Sequence, residues 1–170
     1  QVLEFFLESG QKIHVNGLAK KLKISTSTAN KYLTEYEKSG ILEKEKNANA
    51  IMYRLKENVI VFELKKILFL SKTEASIEKF LQQNPTISTL AIYGSHAKGT
   101  NDNQSDIDLL AISQQKKLDI KTFTELEEKT QKRATLQVFT RTEWKNMLQK
   151  NDNFAQAVIR QNVLLFGEPL

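Results

Sequence analysis

The chain has 170 residues, 40% hydrophobic and 26% charged, a balance that fits a globular protein and excludes an extended disordered chain. It contains no cysteine, which excludes disulfides and thiolate metal sites, and its longest apolar runs, at 59–62 and 67–70, fall far short of the roughly 20 residues that span a bilayer. The net charge of +5 is uneven: residues 1–56 carry ten Lys/Arg against six Asp/Glu, residues 57–170 fifteen against fourteen, so a polyanion-binding module is expected at the N-terminal end.

No stretch near the N-terminus has the charged-then-apolar form of a signal peptide, and a soluble cytoplasmic protein is the expectation. Val2, Leu3, Phe5, Phe6 and Leu7 open a short helix that closes near Gly10. Asn16 is expected to cap a second helix, in which Val15, Leu18, Ala19 and Leu22 recur at helical spacing. Ser25 caps a third, "STSTANKYLTEYEKS", which Gly40 stops. Ala29, Tyr32, Leu33 and Tyr36 form its apolar stripe, and Ser27, Thr28, Asn30, Lys31 and Thr34 its opposite face. After Gly40 the period drops to two: "ILEKEK", a turn "NANA" and "IMYRL" predict a β-hairpin. His14 is assigned no role.

Three helices followed by a basic hairpin is the order of a winged helix-turn-helix. The stretch "VNGLAKKLKISTSTANKYLTEYEKSGILEKE" closely resembles archaeal and bacterial winged-helix regulators, over about residues 1–56. That resemblance implies double-stranded DNA as a partner, with the third helix in the major groove. By it, Ser27, Thr28, Asn30 and Lys31 are groove residues, and Lys44, Lys46 and Arg54 are backbone contacts from the wing. Glu43 and Glu45 in the wing repel phosphate and keep a protein-interaction or dimerisation module open as the alternative.

Residues 57–84 read as two connecting helices, the second capped by Ser71 or Thr73 and ending at Asn84-Pro85. The first is apolar on more than one face, which predicts packing against both domains or a partner subunit and is compatible with a homodimer. From residue 85 onward, apolar "ISTLAIY", a polar loop, apolar "DIDLLAIS", helical "TFTELEEKTQKR" and apolar "ATLQVF" alternate, with helices expected to the end. The fold class expected for the chain is α+β, with a small mixed sheet covered by helices at residues 85–170.

The chemistry concentrates in "AIYGSHAKGTNDNQSDIDLLAI", residues 91–112. A strand that turns sharply at Gly94-Ser95 exposes backbone N–H groups, and Gly94 permits close approach of a ligand. Asp106 and Asp108, two apart on a strand, face the same side about 6.5–7 Å apart. Two carboxylates beside a phosphate-holding turn suit Mg²⁺ bridging to a triphosphate.

The order G-S-x-x-x-G, loop, S-D-x-D-L, here Gly94, Ser95, Gly99, Ser105, Asp106, Asp108 and Leu109, resembles the minimal nucleotidyltransferases of the DNA polymerase β superfamily, over about residues 85–170. The resemblance implies transfer of a nucleoside monophosphate from a nucleoside triphosphate to a hydroxyl, with pyrophosphate released. Gly94, Ser95, Gly99 and Ser105 then bind the nucleotide. Asp106 and Asp108 are catalytic and hold two Mg²⁺ ions, while His96 and Lys98 stand where relatives carry phosphate-binding arginines. Active relatives supply a third carboxylate from a later strand, and the matching position in "TLQVFTRTEW" is Gln137, which coordinates weakly and takes no proton. Glu143 is the nearest acid in sequence but falls in the following helix. Three readings stay open: a DNA-binding transferase, a transcription regulator with a degenerate nucleotide-sensing domain, and an antitoxin-like partner of a toxin protein.

Overall fold

Hydrophobic spacing and caps divide the N-terminal third into short elements. The computed structural model describes residues 1–47 and 50–170 and separates them into two compact units, Gln1–Leu68 and Phe69–Leu170. The first unit opens with α1 (Val2–Ser9), α2 (Val15–Leu22) and α3 (Thr26–Lys38), followed by β1 (Leu42–Asn47) and β2 (Ala50–Leu55). α1 ends at Gly10, whose left-handed backbone (φ 59°) turns its N–H back to the Phe6 carbonyl. Ser25 caps α3, its Oγ accepting from the Thr28 amide at 3.0 Å. His14, rather than Asn16, precedes α2, because the helix already includes Asn16 in its first turn.

β1 and β2 pair antiparallel from Leu42↔Leu55 to Asn47↔Ala50. The turn expected at 47–50 includes Ala48 and Asn49, which lie outside the described residues. Phe5, Phe6, Leu18, Ala29, Leu33, Leu42 and Tyr53 make the core of this unit. Tyr32, expected in the stripe of α3, is instead 38% exposed and stacks on Tyr36 with ring centroids 6.1 Å apart.

The connector corrects a sequence expectation. Val59–Gln83 is one helix, α4, and not two. Asn58 caps its start, accepting from the Val61 amide at 3.0 Å. Thr73 does not cap a new helix: its hydroxyl donates to the Phe69 carbonyl, 2.9 Å away, one turn back. Such back-bonding satisfies the hydroxyl without interrupting the helix, and 59–83 contains no Gly or Pro to break it. Asn84 then ends it, donating to the Phe80 and Asp119 carbonyls and accepting from the Asp119 amide.

The second unit is a four-stranded mixed sheet in the order β5-β4-β3-β6, from β3 (Ile87–Tyr93), β4 (Ile107–Ser113), β5 (Ala134–Phe139) and β6 (Val163–Gly167). β3 runs antiparallel to β4 and β6, and β4 parallel to β5. The helices are α5 (Gly94–Lys98), α6 (Thr122–Thr130), α7 (Arg141–Gln149) and α8 (Asn153–Arg160). β4 is buried on both faces. Ile107, Leu109 and Ala111 join Phe123 and Leu126 of α6, whereas Leu110 and Ile112 meet Trp144, Ala155 and Val158 of α7 and α8. Among the described residues no helix is long and apolar enough to cross a membrane.

The last element also departs from expectation. Helices were expected to the end, but "VLLFG" is strand β6, because it fills the free edge of β3. Gly167 makes that pairing: its φ is +82°, and a Cβ would lie 1.9 Å from the Ser88 carbonyl oxygen. Gly167→Ala is therefore expected to destabilise this unit by about 2 kcal/mol or more. Urea unfolding followed by the fluorescence of Trp144, the single tryptophan, reads this unit; an unchanged midpoint would contradict the packing described.

Candidate functional site

The candidate site grows from the end of β3. Tyr93 is its last residue, and Gly94 turns the chain with φ +70° into the five-residue α5. Gly99 closes α5 in the left-handed region (φ 73°), and the Thr100 amide returns to the Ser95 carbonyl at 3.1 Å. The sequence places glycine at both points because an L side chain rarely adopts this backbone. At Gly94 space forbids one as well: a Cβ would stand 2.6 Å from Asp108 Oδ2.

A polar loop then leads to β4. Asp102 and Ser105 fold it on itself: the Asp102 amide donates to Ser105 Oγ at 2.9 Å, and that hydroxyl donates to Asp102 Oδ1 at 2.7 Å. The Gln104 amide adds a second bond to the same carboxylate oxygen, 3.0 Å away. The bonds from Ser105, then from Gln104, hold the Asp102 carboxyl below its ordinary range. Ser105, expected at the nucleotide, thus has its hydroxyl engaged within the loop. Lys132, from the turn before β5, donates to the Asp102 carbonyl, and burial lowers its ammonium pKa against the opposing pull of Asp102 and Asp106.

Asp106 is exposed and lies one residue before β4 begins, while Asp108 is half-buried inside the strand. Strand register explains the second carboxylate. Asp108 is level with Tyr93 of β3 and with Thr135 of β5, so the three share one face at the sheet's end. Thr135 Oγ1 donates to Asp108 Oδ1 at 3.0 Å, and Oδ2 is left over Gly94. Burial, then the charge of Asp108, raises the Tyr93 hydroxyl pKa, and the Tyr93 ring meets Phe154 edge-on at 5.4 Å.

Gln137 is exposed, level with Leu110 and two positions beyond Thr135 on the same face. Glu143 does not supply the absent acid: it closes a capping box with Thr140 and pairs with Lys116. Those contacts, Lys116 first, hold its carboxyl down at about 2. His96 corrects the expectation of a phosphate contact, being 3% exposed with its ring 4.9 Å from that of Phe69. Lys98 is exposed. Among the described residues no group of three or more His, Cys, Asp or Glu is placed to hold a metal. Sequence reasoning missed Thr135, Lys132 and Tyr93. A small hydroxyl opening the next strand was the signal for Thr135, but only register shows that it meets Asp108.

In the first unit, Ser27, Asn30 and Lys31 are exposed on α3, whereas the Thr28 hydroxyl bonds Ser25 Oγ at 2.7 Å. On the hairpin, Lys44 pairs with Glu37 at 2.6 Å, and Arg54 pairs with Glu43 and Glu45. Lys46 is exposed. Two of the three expected wing cations are therefore matched by acids.

Residues 75–169 match the family described as Polymerase beta, Nucleotidyltransferase. No curated protein matches the chain. Among solved structures, a toxin–antitoxin crystallised with AMP-PNP is 22% identical, with 56% of this chain and 73% of the other covered and a TM-score of 0.41. A variant of the toxin–antitoxin MntA-HpeT is 20% identical, covers the same shares and gives the same score of 0.41. A candidate nucleotidyltransferase from Sulfolobus solfataricus is 18% identical, with 66% and 92% covered and a TM-score of 0.40. The family match spans more than half of the chain and takes in the Gly94 turn, the loop and both carboxylates: the protein belongs to the polymerase beta nucleotidyltransferase family.

Proposed function

We propose that the Gly94–Asp108 segment binds a nucleoside triphosphate with Mg²⁺ and transfers its nucleoside monophosphate to a hydroxyl acceptor. One observation carries this reading: the space that a Cβ at Gly94 would fill lies against Asp108 Oδ2. Bare backbone and a carboxylate oxygen share one small cradle at the end of the sheet, which suits a phosphate oxygen and a hard cation together. Two carboxylates without nitrogen or sulfur donors fit Mg²⁺, which keeps several waters and takes other oxygens from substrate phosphates.

In this reading Gly94 admits the triphosphate, Ser95 and the adjoining amides hold its oxygens, and Asp106 and Asp108 hold the metal. Thr135 fixes one oxygen of Asp108 and so aims the other. When bound, Mg²⁺ supplies charge stabilisation for the attacking and leaving oxygens. The acceptor oxygen bonds the α-phosphorus, the bond from that phosphorus to the bridging oxygen breaks, and pyrophosphate leaves. The acceptor's proton goes to water, since Gln137 takes none and Glu143 is committed to Lys116 and Thr140. A positioned base contributes typically 10²–10⁴-fold, so transfer is slower by about that factor than with a third acid in place.

The N-terminal unit, in the same proposal, is a winged helix that contacts duplex DNA through α3. The exposed Ser27, Asn30 and Lys31 support it, and the paired Lys44 and Arg54 reduce the share of the wing.

Replacing Asp106 and Asp108 together by Asn is expected to abolish Mg²⁺-dependent nucleoside triphosphate binding in calorimetry; unchanged affinity would remove the metal site. For DNA, fluorescence anisotropy at low salt should show Lys31→Ala weakening binding and reducing the log K against log salt slope by about 0.9. Lys44→Ala should change it less, because Glu37 already neutralises that ammonium. Absence of binding even at low salt would end the DNA reading.

A further inference from the structure

Lys132 stands between α6 and β5, directly after Gln131, whose left-handed backbone (φ 55°) turns the chain. Its Nζ donates to the Asp102 carbonyl and lies 3.5 Å from that of Ser105. These carbonyls bracket the tight turn that the Asp102 and Ser105 side chains close from within. A half-buried ammonium needs acceptors for its protons, and here backbone carbonyls of the loop provide them. The next residue, Arg133, accepts the Ile107 amide at 2.8 Å, so the segment that grips the loop also starts the β4–β5 ladder. Asp106 lies between these two attachments.

We propose that Lys132 is a positioning residue, a latch that ties the 102–105 turn to the start of β5 and holds Asp106 beside Asp108. The proposal rests on the metal-binding reading of those two carboxylates. Two effects of the lysine oppose each other. Its charge is near enough to Asp106 to act on it, and a nearby cation repels a divalent ion. Its hydrogen bonds order the loop, and residues that orient metal ligands commonly alter affinity 10–100-fold when removed. The latch outweighs the repulsion, since repulsion at an exposed carboxylate is weakened by water and salt.

The two effects have opposite signs in one experiment. Mn²⁺ is titrated into the full chain and free Mn²⁺ is read by electron paramagnetic resonance, for the wild type, Lys132→Met, Lys132→Arg and the Asp106→Asn, Asp108→Asn double variant. Amide hydrogen exchange over 102–106 and thermal melting followed at Trp144 accompany it. Lys132→Met should weaken Mn²⁺ binding about tenfold and speed exchange over 102–106, with melting unchanged, and Lys132→Arg should restore both. Mn²⁺ binding by Lys132→Met as tight as wild type, or tighter, would overturn the latch. Should the wild type hold no more Mn²⁺ than the double variant, the metal reading itself fails. Exchange then decides the latch, and unchanged protection in Lys132→Met overturns it.

Discussion

The seat of the Asp108 carboxylate against the Gly94 turn is the constraint on which the second unit depends. One oxygen accepts from Thr135, and the other lies 2.6 Å from where a Cβ at position 94 would stand. For that seat to exist, β3 must end at Tyr93, β4 must start at Ile107, and β5 must lie parallel beside it in register with Thr135. Each condition is met by burial behind the site. Leu90, Leu109 and Leu110 are fully buried, and their packing fixes strand positions that the polar end alone would not. A half-buried carboxylate is costly without partners, so its hydroxyl donor and its access to solvent both matter.

Electrostatics divides the site into a prepared half and an absent half. Asp106, Asp108 and the backbone turn are arranged as a cation and a phosphate would need them in the proposed reading. On β5 that arrangement stops: Gln137 and Thr135 share the face of Asp108, and neither is an acid. Glu143 is held by Lys116 and by its own helix cap, an ionised group serving the fold. In the proposed reading such a site favours binding over turnover, which puts slow transfer and nucleotide sensing on one continuum. The first unit has a parallel economy, with the hairpin cations Lys44 and Arg54 satisfied by Glu37, Glu43 and Glu45.

Much of this was legible in the sequence where local chemistry decides the outcome. Gly94, Gly99 and the largely apolar run from Ile107 to Ile112 predicted strand, turn and strand, because left-handed backbone and a strand buried on both faces leave direct marks. The strand itself begins only at Ile107. Marks were weaker where a competing bond decides. Thr73 is an ordinary capping residue in sequence, yet it bonds backward into α4 and lets a single helix run through. Asn16 has the same local signal and sits two residues too late. Tertiary pairing left almost no mark: "VLLFG" becomes β6 only because β3 has a free edge, and Thr135 meets Asp108 only through register. The burial of His96 against Phe69 was equally hidden, since a one-turn helix gives no periodicity to read.

The central claim is that a transferase site is present and lacks its third acid. The most direct measurement is incubation of the protein with each α-labelled nucleoside triphosphate and Mg²⁺, comparing wild type with Gln137→Asp and following label on the protein and on added hydroxyl acceptors. Label transfer that rises about 10²-fold or more in Gln137→Asp is the predicted result, because a carboxylate there lies on the face of Asp108 and can take the acceptor's proton. Transfer by the wild type at a rate that Gln137→Asp leaves unchanged or lowers would contradict the account.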